Sequence, residues 1–308
     1  MSAAPLLSVI VPSYNQGQYL GATLDSIFAQ DYRPLEVLVV DGASSDNSVD
    51  LLRDYAGRHP ELRWWSEPDS GVVEAVNKGL DRARGEFAAI QSSDDIYHPG
   101  ALREAVELLR ADPTLGVVCA DVDIMDGEGR ILHAAPVGAP YTQENFLLRA
   151  TVVHQSSTVF RLAVVREAGG WRERYFCADS ELWLRLSFRT RFLKVDRRWS
   201  AWRKHEAQRD REALRMWQDW GAMMHESPEL QAAPARLRRA ARAGHHTMAV
   251  DYNPSGRESF RLLHLWWALL IAPRSLRAIR DSDFLFPRRL WPIWRRIKRR
   301  WPWGQATC

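Results

Sequence analysis

Between residues 6 and about 110, short, mostly apolar runs alternate with stretches whose apolar residues recur at helical spacing, and few architectures accept that order. The runs are Leu6 to Val11, Leu35 to Val40, Leu62 to Trp65 and Phe87 to Ile90. Phe87 to Ile90 is unbroken and the others carry one polar residue each, Ser8, Glu36 and Arg63, a texture that predicts strands covered on both faces. Tyr19, Leu20, Leu24, Ile27 and Phe28 give the first helical pattern, and helices are expected from Val49 to about Arg58 and from Val72 to Ala83. The alternation predicts an α/β fold with a parallel sheet and right-handed crossovers. Ligands then belong at the carboxyl ends of the strands. No glycine-rich dinucleotide loop or P-loop follows any strand, so a bound nucleotide has to be held through carboxylates and a metal.

Those carboxyl ends carry the candidate chemistry. The fourth run leads into Gln91-Ser92-Ser93-Asp94-Asp95. Side chains alternate along an extended chain, so Asp94 and Asp95 point to opposite sides. A hard divalent cation relieves the repulsion of such a pair and takes the rest of its shell from water and phosphate; the pair equally suits a turn or N-cap before Pro99-Gly100. The first run ends in Pro12-Ser13-Tyr14-Asn15-Gln16-Gly17, where Tyr14 can stack on a base or simply pack, and the following helix amides can meet phosphate. The second run delivers Asp41, able to accept from the imide or amino edge of a base or to serve the turn at Gly42. Gly42 to Ser48 then supplies several N-cap candidates. After the third run come Asp69 and Asn77-Lys78-Gly79, where Lys78 either faces water or places a point charge on phosphate.

The texture changes after Pro113. A strand is expected at Leu115 to Ala120, and a hairpin at Val122 to Leu132 around Asp126-Gly127-Glu128-Gly129. Residues 136–160 read as irregular and contain His154-Gln155. A short helix from Arg161 ends at Gly169-Gly170. A second helix starts around Asp179, as N-cap or as a carboxylate that the helix dipole keeps ionised. Phe192 to Val195 and Trp199 to Trp202 read as two short strands before Arg203-Lys204-His205. Residues 208–250 read as Arg- and Ala-rich helices with Met216, Trp217, Trp220 and Met223 on a core face. Leu262 to Ala272 is too short to span a bilayer, which needs about 20 residues.

Net charge is +4, yet seven of the 42 basic and none of the 38 acidic residues fall in Phe284 to Cys308, which leaves the first 283 residues at −3. The segment Leu290 to Trp303 mixes Trp with Arg, a composition suited to an anionic membrane surface. No nucleic-acid reader motif accompanies it, so no nucleic-acid partner is expected. Cys119, Cys177 and Cys308 lack metal-ligand spacing and suggest a reducing compartment. The N-terminus lacks a basic n-region, so no signal peptide is expected.

Ser8 to Asn15, Val39 to Asp46, Glu67 to Gly71 with Asn77-Lys78-Gly79, and Ser93-Asp94-Asp95, taken in order, resemble the family 2 glycosyltransferases of the GT-A fold. The resemblance implies a Rossmann-like, mostly parallel sheet flanked by helices, with a helical C-terminal extension. It implies an inverting transferase that uses Mg²⁺ or Mn²⁺ and a UDP-, GDP- or dTDP-sugar. Residues 1–110 would bind the donor, 111–207 the acceptor and catalytic base, and 208–308 would form the extension. Position by position, Pro12, Tyr14, Asn15 and Asp41 would line the base and ribose pocket, with Asp69 and Lys78 near the donor. Asp94 and Asp95 would hold ribose and metal. Asp179 matches the general base before a Leu-Trp-Leu-Arg helix, His154-Gln155 an acceptor-side motif, and His205 a histidine that approaches metal or diphosphate. Ser93, Gln91-Ser92 and Glu74 depart from the usual residues without removing a required group. The acceptor expected is a saccharide or lipid-linked saccharide, in bacterial cell-surface polysaccharide synthesis at the cytoplasmic face of the inner membrane. A non-catalytic nucleotide-sugar scaffold and a nucleotidyltransferase are the competing readings; the latter usually carries a glycine-rich basic loop where this chain has Pro12 to Gly17.

Overall fold

The computed structural model describes residues 4–135, 138–205 and 212–275. Its first half runs β1 (Leu7–Ser13), α1 (Gly17–Phe28), β2 (Leu35–Asp41), α2 (Ser48–Arg58), β3 (Leu62–Ser66), α3 (Val72–Arg82) and β4 (Phe87–Ile90). These strands lie side by side as β3-β2-β1-β4, all parallel. Every residue of β1, β2 and β4 is buried, as strands covered on both faces require, including Ser8, whose hydroxyl donates to Glu36 of β2 at 2.6 Å. The two-residue period splits each run between two cores. Ile10, Leu38, Ala88 and Ile90 face one side, with Val76 and Leu80 of α3. Val9, Val11, Val37, Val39, Phe87 and Ala89 face the other, with Leu20, Leu24 and Ile27 of α1 and Leu52 of α2.

The second half contains β5 (Ile96–Tyr97), α4 (Ala101–Ala111), β6 (Leu115–Met125), β7 (Ile131–Ala134), α5 (Gln143–Leu147), a 3₁₀ turn (Gln155–Ser157), β8 (Thr158–Arg161), α6 (Leu162–Glu167), α7 (Ala178–Ser187) and β9 (Arg191–Arg203). The sheet continues β4-β8-β6-β9-β5, with β7 beside β6. Residues 136–160 are thus less irregular than their sequence suggests, and β8 from their end inserts antiparallel between β4 and β6. The expected strand and first hairpin arm merge into β6, and the turn closes through Asp126 N–H donating to Arg130 O at 3.0 Å. The two short strands expected near residue 200 are one strand, β9. Between the pairs Cys119–Lys194 and Asp121–Arg198, β6 advances two residues while β9 advances four. That irregularity holds Asp196 and Arg197 outside the ladder and accounts for the polar break in the apolar pattern.

The chain then forms α8 (Ala213–Glu226), α9 (Pro228–Gln231), α10 (Ala235–Tyr252) and α11 (Glu258–Ile271). Trp220, Met223, Leu237 and Met248 join the core that holds Leu147, Trp183 and Ile10. At the contact of α10 with α5, a Cβ on Gly244 would stand 1.8 Å from the Leu147 carbonyl oxygen, so only glycine permits that approach. The Trp- and Arg-rich segment Leu290 to Trp303 lies outside the described residues.

Histidines join α10 to its neighbours. His246 Nδ1 lies 2.9 Å from His264 Nδ1 on α11, and His245 stacks on Trp217 of α8. Burial, then the neighbouring imidazoles, lower His245 and His264 to about 4; burial alone lowers His246. Burial followed by the charges of Lys194, Arg149 and Lys204 lowers His154 to about 3. Through these four histidines the unfolded chain binds more protons than the folded one below the unfolded histidine value of about 6.5. Stability is expected to be complete above that value and to fall as pH drops toward 4. Urea midpoints measured across this range should show the loss, and His264→Gln should flatten it.

Candidate active site

Two clusters form at the carboxyl edge of the sheet. The first gathers the ends of β1, β2 and β3. Pro12 is buried within β1 opposite Val40, and the chain leaves the strand through Tyr14, whose ring is 63% exposed. Asn15 adopts φ 51°, a left-handed conformation that asparagine tolerates, and its Oδ1 accepts the Ser45 N–H at 2.8 Å. Asp41 is fully buried: Oδ2 accepts Ser44 N–H at 2.9 Å and the Ser66 hydroxyl at 2.7 Å, while Oδ1 accepts the Ser44 hydroxyl. Asp69 accepts Gly71 N–H at 2.9 Å. Burial, with Glu74 and Asp41 adding negative potential, raises the Asp69 pKa. This edge thus carries the exposed Tyr14 together with the carboxylates of Asp41 and Asp69.

Two of the groups expected to meet phosphate have partners within the protein. The α1 N-terminus is not open to phosphate at Gly17, because Asp46 Oδ2 already accepts the Gly17 N–H at 2.9 Å; its Oδ1 takes Ser48 N–H at the start of α2. A carboxylate at a helix start is what the dipole favours. Lys78 lies 2.8 Å from Glu74 and 3.0 Å from Glu67, so its charge is shared between two carboxylates.

The second cluster follows β4. Asp95 is only 2% exposed, with its Oδ1 accepting Arg203 N–H at 2.9 Å, its carbonyl accepting the Thr23 hydroxyl at 2.8 Å, and the Ser156 side chain hydrogen-bonding its carboxylate. Burial, followed by the charge of Asp94, holds Asp95 well above the usual carboxylate range. Asp94 is partly exposed, and its Oδ2 lies 2.9 Å from His205 Nε2. Asp94 lies in a turn that Asp95 N–H closes by donating to Ser92 O at 3.2 Å, so the alternation of an extended chain does not apply to the pair. Sequence reasoning missed the part that holds them. Buried Arg203 donates through Nε to Asp94 O at 2.7 Å and through Nη1 to Gly127 O at 2.9 Å, and its guanidinium lies 4.8 Å from the centre of the Tyr19 ring. Beneath Asp95, Ser156, Ser200 and Ser157 link hydroxyl to hydroxyl at 3.1 and 2.7 Å. His154 and Gln155 open the 3₁₀ turn that carries Ser156 and Ser157, Ser200 coming from β9, and Gln155 Nε2 reaches Ile90 O at 3.5 Å.

Asp179 belongs to the first turn of α7, where Cys177 rather than Asp179 occupies the N-cap. The loop before it is tied down on three sides. Asn77 of α3 exchanges two 2.9 Å hydrogen bonds with the Trp171 backbone, donating to its O and accepting from its N–H. Arg185 bonds bidentately to Glu181 and reaches Ala168 O and Gly170 O. Cys177 N–H donates to Asp219 of α8 at 2.9 Å. Nothing in the spacing of Asn77 reveals this clamp, because a helix asparagine is ordinarily solvated. Asn77→Ala strands both Trp171 groups, and the expected cost is about 1–3 kcal/mol in urea unfolding. Asn77→Asp, which keeps the acceptor and loses the donor, should recover part of it.

Among the described residues no three His, Cys, Asp or Glu side chains converge on a preformed metal cage. Asp94, Asp95 and His205 do offer the oxygen and imidazole donors that Mg²⁺ or Mn²⁺ accepts when phosphate and water complete the shell. The donor set therefore fits a cation brought in with a diphosphate.

The pattern of the family described as "Glycosyl transferase family 2" matches residues 8–169, a span that carries the first cluster and Asp94, Asp95 and Ser156 of the second. The chain belongs to glycosyl transferase family 2. An uncharacterized glycosyltransferase of Mycobacterium tuberculosis is 33% identical over 192 residues, which cover 61% of this chain and 71% of that protein. Chondroitin synthase of Escherichia coli is 27% identical over 191 residues, 61% of this chain and 27% of the synthase. The chain spans 47% of an uncharacterized glycosyltransferase of Nostoc, so it covers about half or less of several relatives. The fold agrees with S. aureus TarS 1–349 in complex with UDP-GlcNAc, at TM-score 0.64 and 18% identity over 94% of this chain and 91% of that one. It also agrees with a mannosyltransferase from Pyrobaculum calidifontis in complex with GDP-Man and Mn²⁺, at TM-score 0.58 and 23% identity over 96% and 88%. The family and GT-A fold expected from the motifs are thereby established.

Proposed function

We propose that this family 2 protein transfers one sugar, with inversion, from a UDP-, GDP- or dTDP-sugar to a hydroxyl of a saccharide or lipid-linked acceptor in polysaccharide synthesis at a cytoplasmic membrane face. The observation that carries the reading is the pair Asp94–Asp95 at the end of β4, stapled by Arg203 and met by His205, beside the exposed Tyr14 and buried Asp41. The Tyr14 ring stacks on the base, and Asp41, oriented by Ser44 and Ser66, accepts from the base edge. Asp69 and Lys78 flank the donor. Asp94, Asp95 and His205 would hold Mg²⁺ or Mn²⁺, which supplies charge neutralisation to the departing nucleoside diphosphate. Asp179 takes the proton of the acceptor hydroxyl as that oxygen attacks the anomeric carbon opposite the leaving group. His154 is neutral near pH 7 and, with Gln155, provides hydrogen bonds on the acceptor side without adding charge.

The test is thermal unfolding of the full chain against a panel of UDP-, GDP- and dTDP-sugars, with Mn²⁺ and with EDTA. A ligand at about 100 times its dissociation constant adds roughly 2.7 kcal/mol. One base class is expected to raise the melting temperature with Mn²⁺ and not with EDTA. Uniform indifference to every nucleotide sugar would contradict the reading.

A further inference from the structure

The helix α11 lies on α10 with one face, and among the described residues nothing covers the other. Leu265 and Ala268 pack toward Val250 of α10, and Arg261 Nε donates to Val250 O at 3.0 Å. The outward residues are Leu262, Leu263, Trp266, Trp267 and Leu270, exposed by 57, 53, 59, 41 and 58%. Their spacing of one and four residues puts them on a single face, and no charged side chain interrupts it. Contiguous exposed apolar faces of this kind mark an interaction surface.

Three observations select the occupant. First, two of the five residues are tryptophans, whose indoles favour the headgroup layer of a bilayer. Second, the apolar face is bordered at its C-terminal end by exposed Arg274, and residues 276–308 follow at once with nine Lys or Arg against two Asp, and with Trp291, Trp294, Trp301 and Trp303. Cations interleaved with indoles match anionic headgroups over an acyl layer, at about 1 kcal/mol per cation near the surface. A tail folding back on the Leu-Trp face would instead bring desolvation to its own cations, a poorer match than lipid. Third, a 14-residue helix is about 21 Å long, below the roughly 30 Å of a hydrocarbon core. Among the described residues no helix is long and apolar enough to cross a membrane. The element can lie on a bilayer and does not span one.

We infer that the Leu262-Leu263-Trp266-Trp267-Leu270 face of α11 docks this protein on an anionic lipid surface, in concert with the basic sequence that follows it. The assignment stands apart from the transfer chemistry and is read by binding alone. Because α10 is locked into the core at Gly244, docking through α11 fixes the orientation of the sheet's carboxyl edge to the bilayer. A lipid-linked acceptor would then approach in one direction.

The experiment is cosedimentation of the full chain with vesicles of phosphatidylcholine alone and of phosphatidylcholine mixed with phosphatidylglycerol. Binding is expected only to the mixed vesicles, weakened by salt, and reduced at least about tenfold in Trp266→Ser/Trp267→Ser. Trp266 points outward, whereas the Trp267 ring also lies 6.4 Å from that of His246 on α10, so the melting temperature is read beside binding; Leu263→Gln/Leu270→Gln, at two exposed leucines, serves as a second variant should the first unfold. Undiminished vesicle binding by both variants would assign docking to the tail and overturn the inference. So would absence of wild-type binding, or a dimer in gel filtration that the same variants dissociate, since a second copy would then cover the face.

Discussion

Asp179→Asn is expected to bind donor as the wild type does and to lose transfer by roughly 10² to 10⁴-fold, the usual contribution of a general base. Asparagine keeps the size and most of the hydrogen bonding of aspartate but cannot accept the acceptor's proton. The residue stands in the first turn of α7, where the dipole favours a negative charge, so the substitution also costs about 0.3–1 kcal/mol of stability. That is too little to explain a hundredfold loss. The decisive comparison is turnover at saturating donor against the donor-dependent rise in melting temperature. A lost turnover with an intact rise assigns Asp179 to the proton; a normal turnover sends the search for a base elsewhere. Asn77→Ala sharpens the comparison. If the clamp on Trp171 positions α7, turnover should fall while KM for donor holds, and the pH dependence should keep its shape because the base itself is unchanged.

What the sequence could disclose follows from which interactions have a period. β1, β2 and β4 were legible because both faces of each are covered, which forces mostly apolar runs. β9 was split because its irregular pairing with β6 excuses Asp196 and Arg197 from burial, and β8 was hidden because four residues are too few to show a period. The acids at strand ends were legible for a related reason: a parallel sheet brings strand ends to one edge, so Asp41 and Asp94–Asp95 could be grouped without knowing any distance. Arg203 had no such mark. An arginine in a mixed polar segment looks solvated, yet here it is buried and bonds the Asp94 and Gly127 carbonyls. The Asn77 clamp and the two-helix bonding of Asp46 are likewise side-chain-to-backbone contacts between segments 29 to 94 residues apart, and no local pattern encodes them.

The buried acid next to a second acid leads to the other large effect. Asp95→Asn keeps an oxygen for the Arg203 N–H and removes a desolvated charge beside Asp94, so the ligand-free protein should melt at or above the wild-type temperature. In the proposed site the same change removes a carboxylate from the cation and with it the hold on the diphosphate. The donor-dependent stabilisation of roughly 2.7 kcal/mol, a shift on the order of 5 °C in a chain of this size, should therefore vanish. Asp94→Ala should lose the shift as well, by freeing His205 from its 2.9 Å hydrogen bond and removing the more exposed carboxylate. Melting curves of the three proteins with nucleotide sugar, with and without Mn²⁺, separate the terms. A variant that is more stable alone and blind to donor identifies a position where folding stability is given up for binding. If Asp95→Asn instead retains the full Mn²⁺-dependent shift, the cation and diphosphate lie away from the end of β4, and Asp95 is a buried structural acid held by Arg203 and Ser156.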